Sequence, residues 1–393
     1  PQAGTEYFVN FNVTTVEKEP LIPIGHEIAC DQFRLPIESP KKAFKTSGPK
    51  LTVSTNGDNL SASSSKVNFV FNRKTGIVTS YKVDGTEYFS EGFGIQPNFW
   101  RAPTDNDYGN GMPKRLQVWK ESSKNFNVTD ATVTMDGNNA VVNVNYLLPA
   151  GNLYIVNYTI YPSGAVNVAA RFTSTDMDAA QTEVSESTRT ATFTPGRDAA
   201  RKEASKLNVP RIGVRFRLPA SMNQVEYFGR GPAENYLDRN AGSMVGLYKS
   251  TAEELYFPYV RPQENGHHTD TRWVSLSTGK KGLLIQADNT IGFNALRNSI
   301  EDFDDEEATG LSRQWSNFTP EQVANHDEAA AKNVLRRQHH INNITPRDFV
   351  EVCVDLKQQG VAGYDSWGSR PEPAYTLPAN REYNWGFTLI PLK

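Results

Sequence analysis

The chain has 393 residues, of which 38% are hydrophobic and 11% aromatic, so it is long enough for two or three domains with a large core. Its formal net charge of −3 provides no electrostatic attraction to nucleic acid or to an anionic membrane surface, and neither is expected as a partner. No apolar run approaches the ~20 residues that a membrane-spanning helix needs. These properties predict a soluble protein and leave its compartment, cytoplasm or periplasm, undecided.

Alternation of apolar and polar residues with period two dominates the chain, and turn signals separate the alternating runs. The clearest runs are 131–135, 140–147, 153–161 and 165–172. Asp-Gly and Ser-Gly turns between them permit the positive φ that tight hairpins require. Helical signal is sparse, and its best candidate begins at Thr319, with Pro320 in the first helical position. The pattern therefore predicts an all-β fold.

Residues 1–36 contain three strand-like runs, at 6–13, 21–24 and 28–34, and three strands rarely complete a sandwich. Residues 37–50 include a stretch rich in Pro, Lys and Ser and are interpreted as a linker. Residues 51–393 are predicted to form one large β domain. Cys30 and Cys353 are too few for a disulfide framework, so both are expected to be buried apolar residues.

Three segments of the chain carry a recognisable combination of residues. They are Asn98-Phe99-Trp100-Arg101-Ala102-Pro103-Thr104-Asp105-Asn106-Asp107, the run Gly229-Arg230-Gly231-Pro232-Ala233-Glu234-Asn235-Tyr236-Leu237-Asp238-Arg239, and Tyr364-Asp365-Ser366-Trp367-Gly368. In this order and at this spacing, they resemble the C-terminal portion of the lacZ-type β-galactosidases of glycoside hydrolase family 2. The resemblance extends from about Gly4 to Lys393.

This resemblance implies a large β-supersandwich similar to galactose mutarotase, preceded by the last strands of an immunoglobulin-like domain whose first half is missing. It also implies the non-catalytic C-terminal region of a retaining exo-β-galactosidase that hydrolyses terminal β-D-galactosides of the lactose type. The catalytic glutamates of the family lie in a preceding barrel domain, and no segment here matches their motifs. The chain alone is therefore expected to be inactive.

The resemblance also bears on partners and cofactors. The implied partners are the N-terminal domains of the same polypeptide and β-galactoside sugars, and the complete enzyme could form an oligomer. Magnesium and sodium are possible cofactors of the complete enzyme, at sites largely outside this region. No cofactor and no metal site are assigned within this chain.

Trp367 is the residue expected to touch a substrate, with Asp365 and Ser366 beside it. An aromatic face on a loop with polar neighbours suits stacking against the apolar C–H face of a sugar ring. A Trp in a Gly/Ser loop is also typical of a residue that plugs a core. The resemblance places Trp367 in the subsite of the leaving sugar, at the mouth of the barrel.

A second loop, comprising Gly109, Asn110, Gly111 and Met112, is implied by the resemblance to be mobile and to border the active site. The preceding Asp105-Asn106-Asp107 could ligate a metal, but three adjacent side chains rarely point at one ion. The favoured interpretation is that these side chains satisfy the loop backbone and pair with Arg101.

The run 229–239 lacks the glycine pattern and the Gly-Lys-Ser/Thr ending of a nucleotide-binding loop. Its charged side chains are expected to form ion pairs that brace a loop, with Tyr236 packed beneath; they are Arg230, Glu234, Asp238 and Arg239. The acidic run 301–307 predicts a solvated loop. A calcium site is the alternative, although the residue pattern of an EF-hand is absent.

The sequence leaves two alternative functions open. A free-standing carbohydrate-binding module would use the same aromatic residues without a catalytic partner. An aldose epimerase of the mutarotase type would need a His and a carboxylate to converge on one ring oxygen, and the segment Glu264-Asn265-Gly266-His267-His268 offers both. Adjacent histidines on a strand point to opposite faces, which argues against a shared metal.

Overall fold

The computed structural model describes residues 2–174, 207–304, 340–365 and 368–393, and strands dominate these ranges. The strands are β1 (Phe8–Thr14), β2 (Glu27–Arg34), β3 (Thr52–Asn56), β4 (Asn59–Ser63), β5 (Val67–Asn72), β6 (Ile77–Val83), β7 (Thr86–Glu87), β8 (Gln96–Asn98), β9 (Asn127–Asp136), β10 (Asn139–Leu147), β11 (Leu153–Ile160), β12 (Val166–Thr173), β13 (Arg211–Pro219), β14 (Gln224–Gly231), β15 (Met244–Thr251), β16 (His268–Ser277), β17 (Gly282–Leu296), β18 (Phe349–Gln358) and β19 (Tyr383–Leu392). The α-helices are α1 (Asp105–Gly109), α2 (Met112–Arg115), α3 (Gln117–Ser122) and α4 (Ile300–Phe303). None of these helices is long and apolar enough to cross a membrane.

One antiparallel sheet of twelve strands forms the body of the molecule. Its main path runs β15-β14-β16-β17-β19-β12-β11-β10-β9, and a branch through β18 and β13 ends at β8. The branch arises on β17, whose first part (282–287) pairs with β19 and whose last part (292–296) pairs with β18. The sheet therefore forks, and the loops that follow β14, β15 and β18 are available to build one surface.

A second sheet, β3 to β7, packs against β10 and β11 of the large sheet. Phe69 on β5 meets Tyr158 on β11 with ring centroids 5.6 Å apart, and the hydroxyl of Tyr146 donates to the carbonyl of Gly76 at 3.0 Å. Inward-facing positions of β10 alternate with outward-facing ones, as the sequence pattern predicted. The prediction of an all-β chain built around a large sandwich is confirmed.

The N-terminal segment differs from its prediction in two respects. Residues 21–24 do not form a strand, because Leu21 and Gly25 adopt positive φ and the chain turns there, closed by one bridge between Glu19 and Ile22. Cys30 is exposed and not buried, because it lies on the two-stranded ribbon β1–β2, which no other layer covers in the described part of the chain. Cys353 is buried, as expected.

The acidic run was also wrongly predicted as a solvated loop over its first four residues. Asp302 is buried and pairs with Arg347, while the buried Asp304 accepts a hydrogen bond from Trp100 Nε1 at 2.7 Å. Two features explain this burial. Ser299 and Asp302 form a capping box at the start of α4, and basic side chains pair with the buried carboxylates. Residues 305–307 and the helix predicted from Thr319 lie outside the described residues.

The β1–β2 ribbon contacts the large sheet through few polar groups. Glu6 pairs with Arg272 at 2.8 Å, and the side-chain amide of Gln32 bonds both the N–H and the C=O of Val245 on the edge strand β15. Apolar side chains of the ribbon such as Phe11 are exposed. A two-stranded ribbon without a packed face is marginally stable in water.

Backbone amides of β1 and β2 are therefore expected to exchange with solvent much faster than those of β11. Local opening of the ribbon breaks few apolar contacts, whereas opening of β11 disrupts the core. Native-state hydrogen exchange of the full chain measures this difference directly. Equal protection of the ribbon and β11 in a monomer would contradict it.

Candidate functional site

The loop between β18 and β19 contains the predicted substrate-binding residues. Ser366 and Trp367 lie outside the described residues, so the structure says nothing of their side chains. Asp365 is exposed, and its Oδ1 accepts a hydrogen bond from the backbone N–H of Ser369 at 3.1 Å. This carboxylate therefore ties Ser369 back to the start of the loop segment that contains the predicted residues.

The structure brings this loop onto α1, which carries the other predicted site segment. The side-chain amide of Asn106 donates to the carbonyl of Ser369 at 2.7 Å, and that of Asn110 donates to the same carbonyl at 3.3 Å. Gly368 lies so close to Gly109 that an added Cβ would sit 2.3 Å from its carbonyl carbon. A side chain at 368 would therefore push the two loops apart.

The remaining two residues of the predicted border loop have different positions. Gly111 adopts φ 73° just before α2, a conformation that favours glycine, and is exposed. Met112 is fully buried in the core. Its side chain packs beneath the loop and offers no surface to a ligand.

An ion pair inside the protein fixes the base of these loops. Arg101 Nη2 donates to both carboxylate oxygens of Asp107, at 2.9 and 3.1 Å, and to the carbonyl of Gly360 at 3.2 Å. Asp107 also accepts from the N–H of Thr104, which completes a capping box at the start of α1. The predicted pairing with Arg101 is confirmed, and the described residues contain no group of three or more His, Cys, Asp and Glu side chains that could hold a metal ion.

A cleft of about 590 Å³ opens beside the loop that carries Asp365. Its walls come from 234–243, from Phe257 and Tyr259, and from Tyr375 at the far end of the β18–β19 loop. No spacing in the sequence indicated this cleft, because its walls are distant along the chain. Of these walls, the sequence had singled out only part of the run 229–239, and for a bracing role, not as the wall of a cleft.

The run 229–239 braces the cleft, partly as predicted. Glu234 pairs with Arg239 at 2.8 Å, and Tyr236 is buried beneath them. Arg230 also forms an ion pair, with Asp270 on β16. Asp238 differs from expectation, because it accepts from the backbone N–H groups of Val361 and Ala362 at 2.9 and 2.7 Å. Asp238 therefore joins the cleft to the loop of Asp365.

A buried polar cluster lies below this surface. Arg211 pairs with Glu264 and with Asp355, each at 3.1 Å, and His267 Nδ1 lies 2.9 Å from Asn294 Oδ1. Burial and the charge of Glu264 raise the pKa of Asp355 to about 7 despite Arg211. Burial, with the nearby charge of Arg211, keeps the pKa of His267 well below its usual range.

The same burial bears on the epimerase alternative. Glu264 and His267 are both buried, and Glu264 Oε1 accepts hydrogen bonds from Arg211, Asn294 and Gln358. A general base must reach the proton that it removes from a substrate. These groups instead hydrogen-bond one another inside the fork of the sheet, away from the surface that a substrate could reach.

The family described as "Beta galactosidase small chain" matches residues 63–389, which is most of the chain. The chain belongs to the β-galactosidase small-chain family. A β-galactosidase of Priestia megaterium is 31% identical over 371 residues, covering 94% of this chain and 30% of that protein. A β-galactosidase small subunit of Latilactobacillus sakei is 27% identical over 332 residues, covering 82% of this chain and 92% of that subunit.

This small-chain family member spans about 30% of the length of its β-galactosidase relatives from Priestia megaterium and Streptococcus thermophilus. Among solved structures, a galactose 1-epimerase from Lactobacillus acidophilus aligns with a TM-score of 0.41 at 8% identity, covering 88% of this chain and 98% of that chain.

Proposed function

We propose that this chain is the non-catalytic C-terminal region of a family 2 glycoside hydrolase, a retaining exo-β-galactosidase that acts on terminal β-D-galactosides. Membership of the small-chain family supports a role within a β-galactosidase. The chain supplies no catalytic residue; the two carboxyl groups that glycoside hydrolysis needs come from the barrel region.

The observation that carries the proposal is the anchoring of the β18–β19 loop on both sides of Trp367. On one side, Asp238 holds the N–H groups of Val361 and Ala362. On the other side, Asn106 and Asn110 hold the carbonyl of Ser369. A binding residue works best when rigid elements support its loop, because less conformational entropy is lost on binding. Such support suits a loop that presents an aromatic ring to a sugar.

In this proposal Trp367 stacks against the leaving sugar at the barrel mouth, with Asp365 and Ser366 at the edge of its ring. Galactose in the deeper subsite is held by the barrel. Gly109 and Asn110 of the border loop contact the β18–β19 loop and support it. The partners are the remaining domains of the enzyme and the galactoside.

Replacement Trp367→Ala in the complete enzyme is expected to weaken binding of acceptor sugars by ~1–3 kcal/mol, as for an aromatic anchor in a pocket. Inhibition by galactose should change far less, because the barrel supplies those contacts. Inhibition constants for glucose and galactose, measured on the wild-type enzyme and on Trp367→Ala, give the two changes in affinity. Thermal melts of the same two proteins show whether the replacement alters stability. As a second arm, the purified 393-residue chain should not hydrolyse a chromogenic galactoside.

Two results would contradict the proposal. The first is a large fall in melting temperature with unchanged acceptor affinity, because a core tryptophan costs ~3–5 kcal/mol of stability when truncated to Ala. The second is turnover by the isolated chain at a rate comparable with that of a whole enzyme of the family.

A further inference from the structure

The cleft beside the β18–β19 loop has an aromatic wall that is open to solvent. Phe257 is 49% exposed, and its ring centroid lies 4.5 Å from that of Tyr259, with the planes 44° apart. Tyr375 lines the cleft from the β18–β19 loop and is also exposed. Aromatic faces left open in a concave surface are suited to the apolar face of a ligand ring.

The polar wall of the cleft is held rigid from behind. The buried carboxylate of Glu234 accepts hydrogen bonds from Arg239 Nη2 at 2.8 Å, from the N–H of Gly266 at 2.7 Å and from the Tyr259 hydroxyl. Arg239 also lies over the ring of Tyr236, 5.0 Å from its centroid. The side chains of Glu234 and Arg239 are therefore held in position before any ligand arrives, which lowers the entropy cost of binding.

Several polar atoms of the cleft have no hydrogen-bond partner within the described ranges. They are Nε and Nη1 of Arg239, Oδ1 of Asn240 and Oγ of Ser243, all on the residues that line the cleft. These atoms include donors, an acceptor and a hydroxyl that serves as either. Hydroxyl groups of a ligand can use all of them.

The charges of the cleft select against ionic ligands. Its charged lining side chains are Glu234, Asp238 and Arg239, and the first and last of these neutralise each other at 2.8 Å. Asp238 is occupied by the N–H groups of Val361 and Ala362. No cationic side chain of the lining remains unpaired to bind a phosphate or carboxylate. A neutral ligand with a hydroxylated edge and an apolar face fits best.

We propose that this cleft binds a neutral pyranose sugar, stacked on Phe257 and hydrogen-bonded to Arg239 and Asn240. The site is separate from the one assigned to Trp367, and the inference does not depend on that function. Asp238 lines the cleft and also holds the start of the β18–β19 loop through the N–H groups of Val361 and Ala362.

The test is saturation-transfer NMR and calorimetry on the full 393-residue chain with methyl β-D-galactopyranoside, methyl β-D-glucopyranoside and lactose. At least one of these sugars is expected to bind with an affinity on the order of millimolar, typical of an open site with few anchors. Phe257→Ala should weaken that binding about tenfold or more, because it removes the stacking surface. Arg239→Gln should weaken it in the same direction by removing hydrogen-bond donors.

Phe33→Ala is the matched control, since Phe33 is 54% exposed on the β1–β2 ribbon and does not line the cleft. It should leave sugar binding unchanged. Circular dichroism establishes that each variant is folded. The proposal is overturned when the wild-type chain binds none of the three sugars at millimolar concentration, or when folded Phe257→Ala binds them as the wild type does. Neither result affects the acceptor affinities of Trp367→Ala, so the two proposals fail separately.

Discussion

Replacement Asp107→Asn is expected to destabilise the protein by ~3–5 kcal/mol, the usual cost of removing one partner of a buried ion pair. The side chains of Arg101 and Asp107 are 0% and 1% exposed. Asn at this position leaves the guanidinium charge of Arg101 buried without a counter-charge. It also weakens the capping box that starts α1. Urea unfolding of the two proteins, followed by tryptophan fluorescence, measures the difference.

Asp105→Asn is the matched control, because it makes the same Asp-to-Asn replacement two residues earlier in the same helix. Asp105 pairs with Arg261 at 3.3 Å, but both side chains are well exposed. Exposed pairs contribute ~0–1 kcal/mol, so this variant should be nearly as stable as the wild type. Similar losses for the two variants would show that the helix start, and not the buried charge, sets the cost.

The same pair illustrates what the sequence could predict. The contact between Arg101 and Asp107 is local, six residues apart, and could be inferred from the segment that follows Trp100 and contains Asp105, Asn106 and Asp107. The hairpins from β9 to β12 were equally accessible, because period-two alternation and turn residues act within a few positions. Predictions of this kind were confirmed because neighbouring residues carry the whole signal.

Burial is set by distant parts of the chain and was predicted less well. Asp302 and Asp304 read as part of a solvated acidic run, yet Arg347 and Trp100 approach them from elsewhere in the chain. Cys30 has an apolar character that suggested burial, but nothing in the described structure packs over its ribbon. No local pattern reports which side chain will meet such a partner.

The candidate site shows the same limit. The sequence singled out the loops of Gly109 and Asp365 separately, and only the fold places Gly368 against Gly109. The cleft combines residues near 234–243, 257–259 and 375. They meet because β14 and β18 end close to the start of β16, and the loop after β15 runs back to that same edge of the sheet. Topology of this kind is not encoded in any one segment.

A buried histidine provides the second large effect. His268 packs between Phe293, whose ring is nearly parallel at 5.1 Å, and Tyr227, which meets it edge-on at 4.9 Å. Burial lowers its pKa from 6.5 to about 4, although its ring nitrogens lie 3.2 Å from the carbonyls of Gly266 and Pro232. The folded protein therefore keeps this imidazole neutral at pH values where the unfolded chain protonates it.

The sign of the pH dependence follows from this difference. Because the folded pKa is lower than the unfolded one, His268 contributes its full stability above pH 6.5 and loses it as the pH falls towards about 4. The loss amounts to roughly 3 kcal/mol, at about 1.4 kcal/mol per pKa unit. His267 acts in the same direction. Asp355 acts in the opposite one, because its raised pKa of about 7 favours the folded state as the pH falls.

Replacement His268→Gln isolates the contribution of this residue, because the other titrating groups remain in both proteins. At neutral pH the variant should be the less stable, since it loses the ring stacking on Phe293. Between about pH 7 and pH 4 the stability difference should shift by roughly 3 kcal/mol in favour of the variant. Urea unfolding across this pH range measures it. A stability difference for His268→Gln that stays constant with pH would mean that the folded protein accepts the proton at His268, and the tight packing around this ring would then need another explanation.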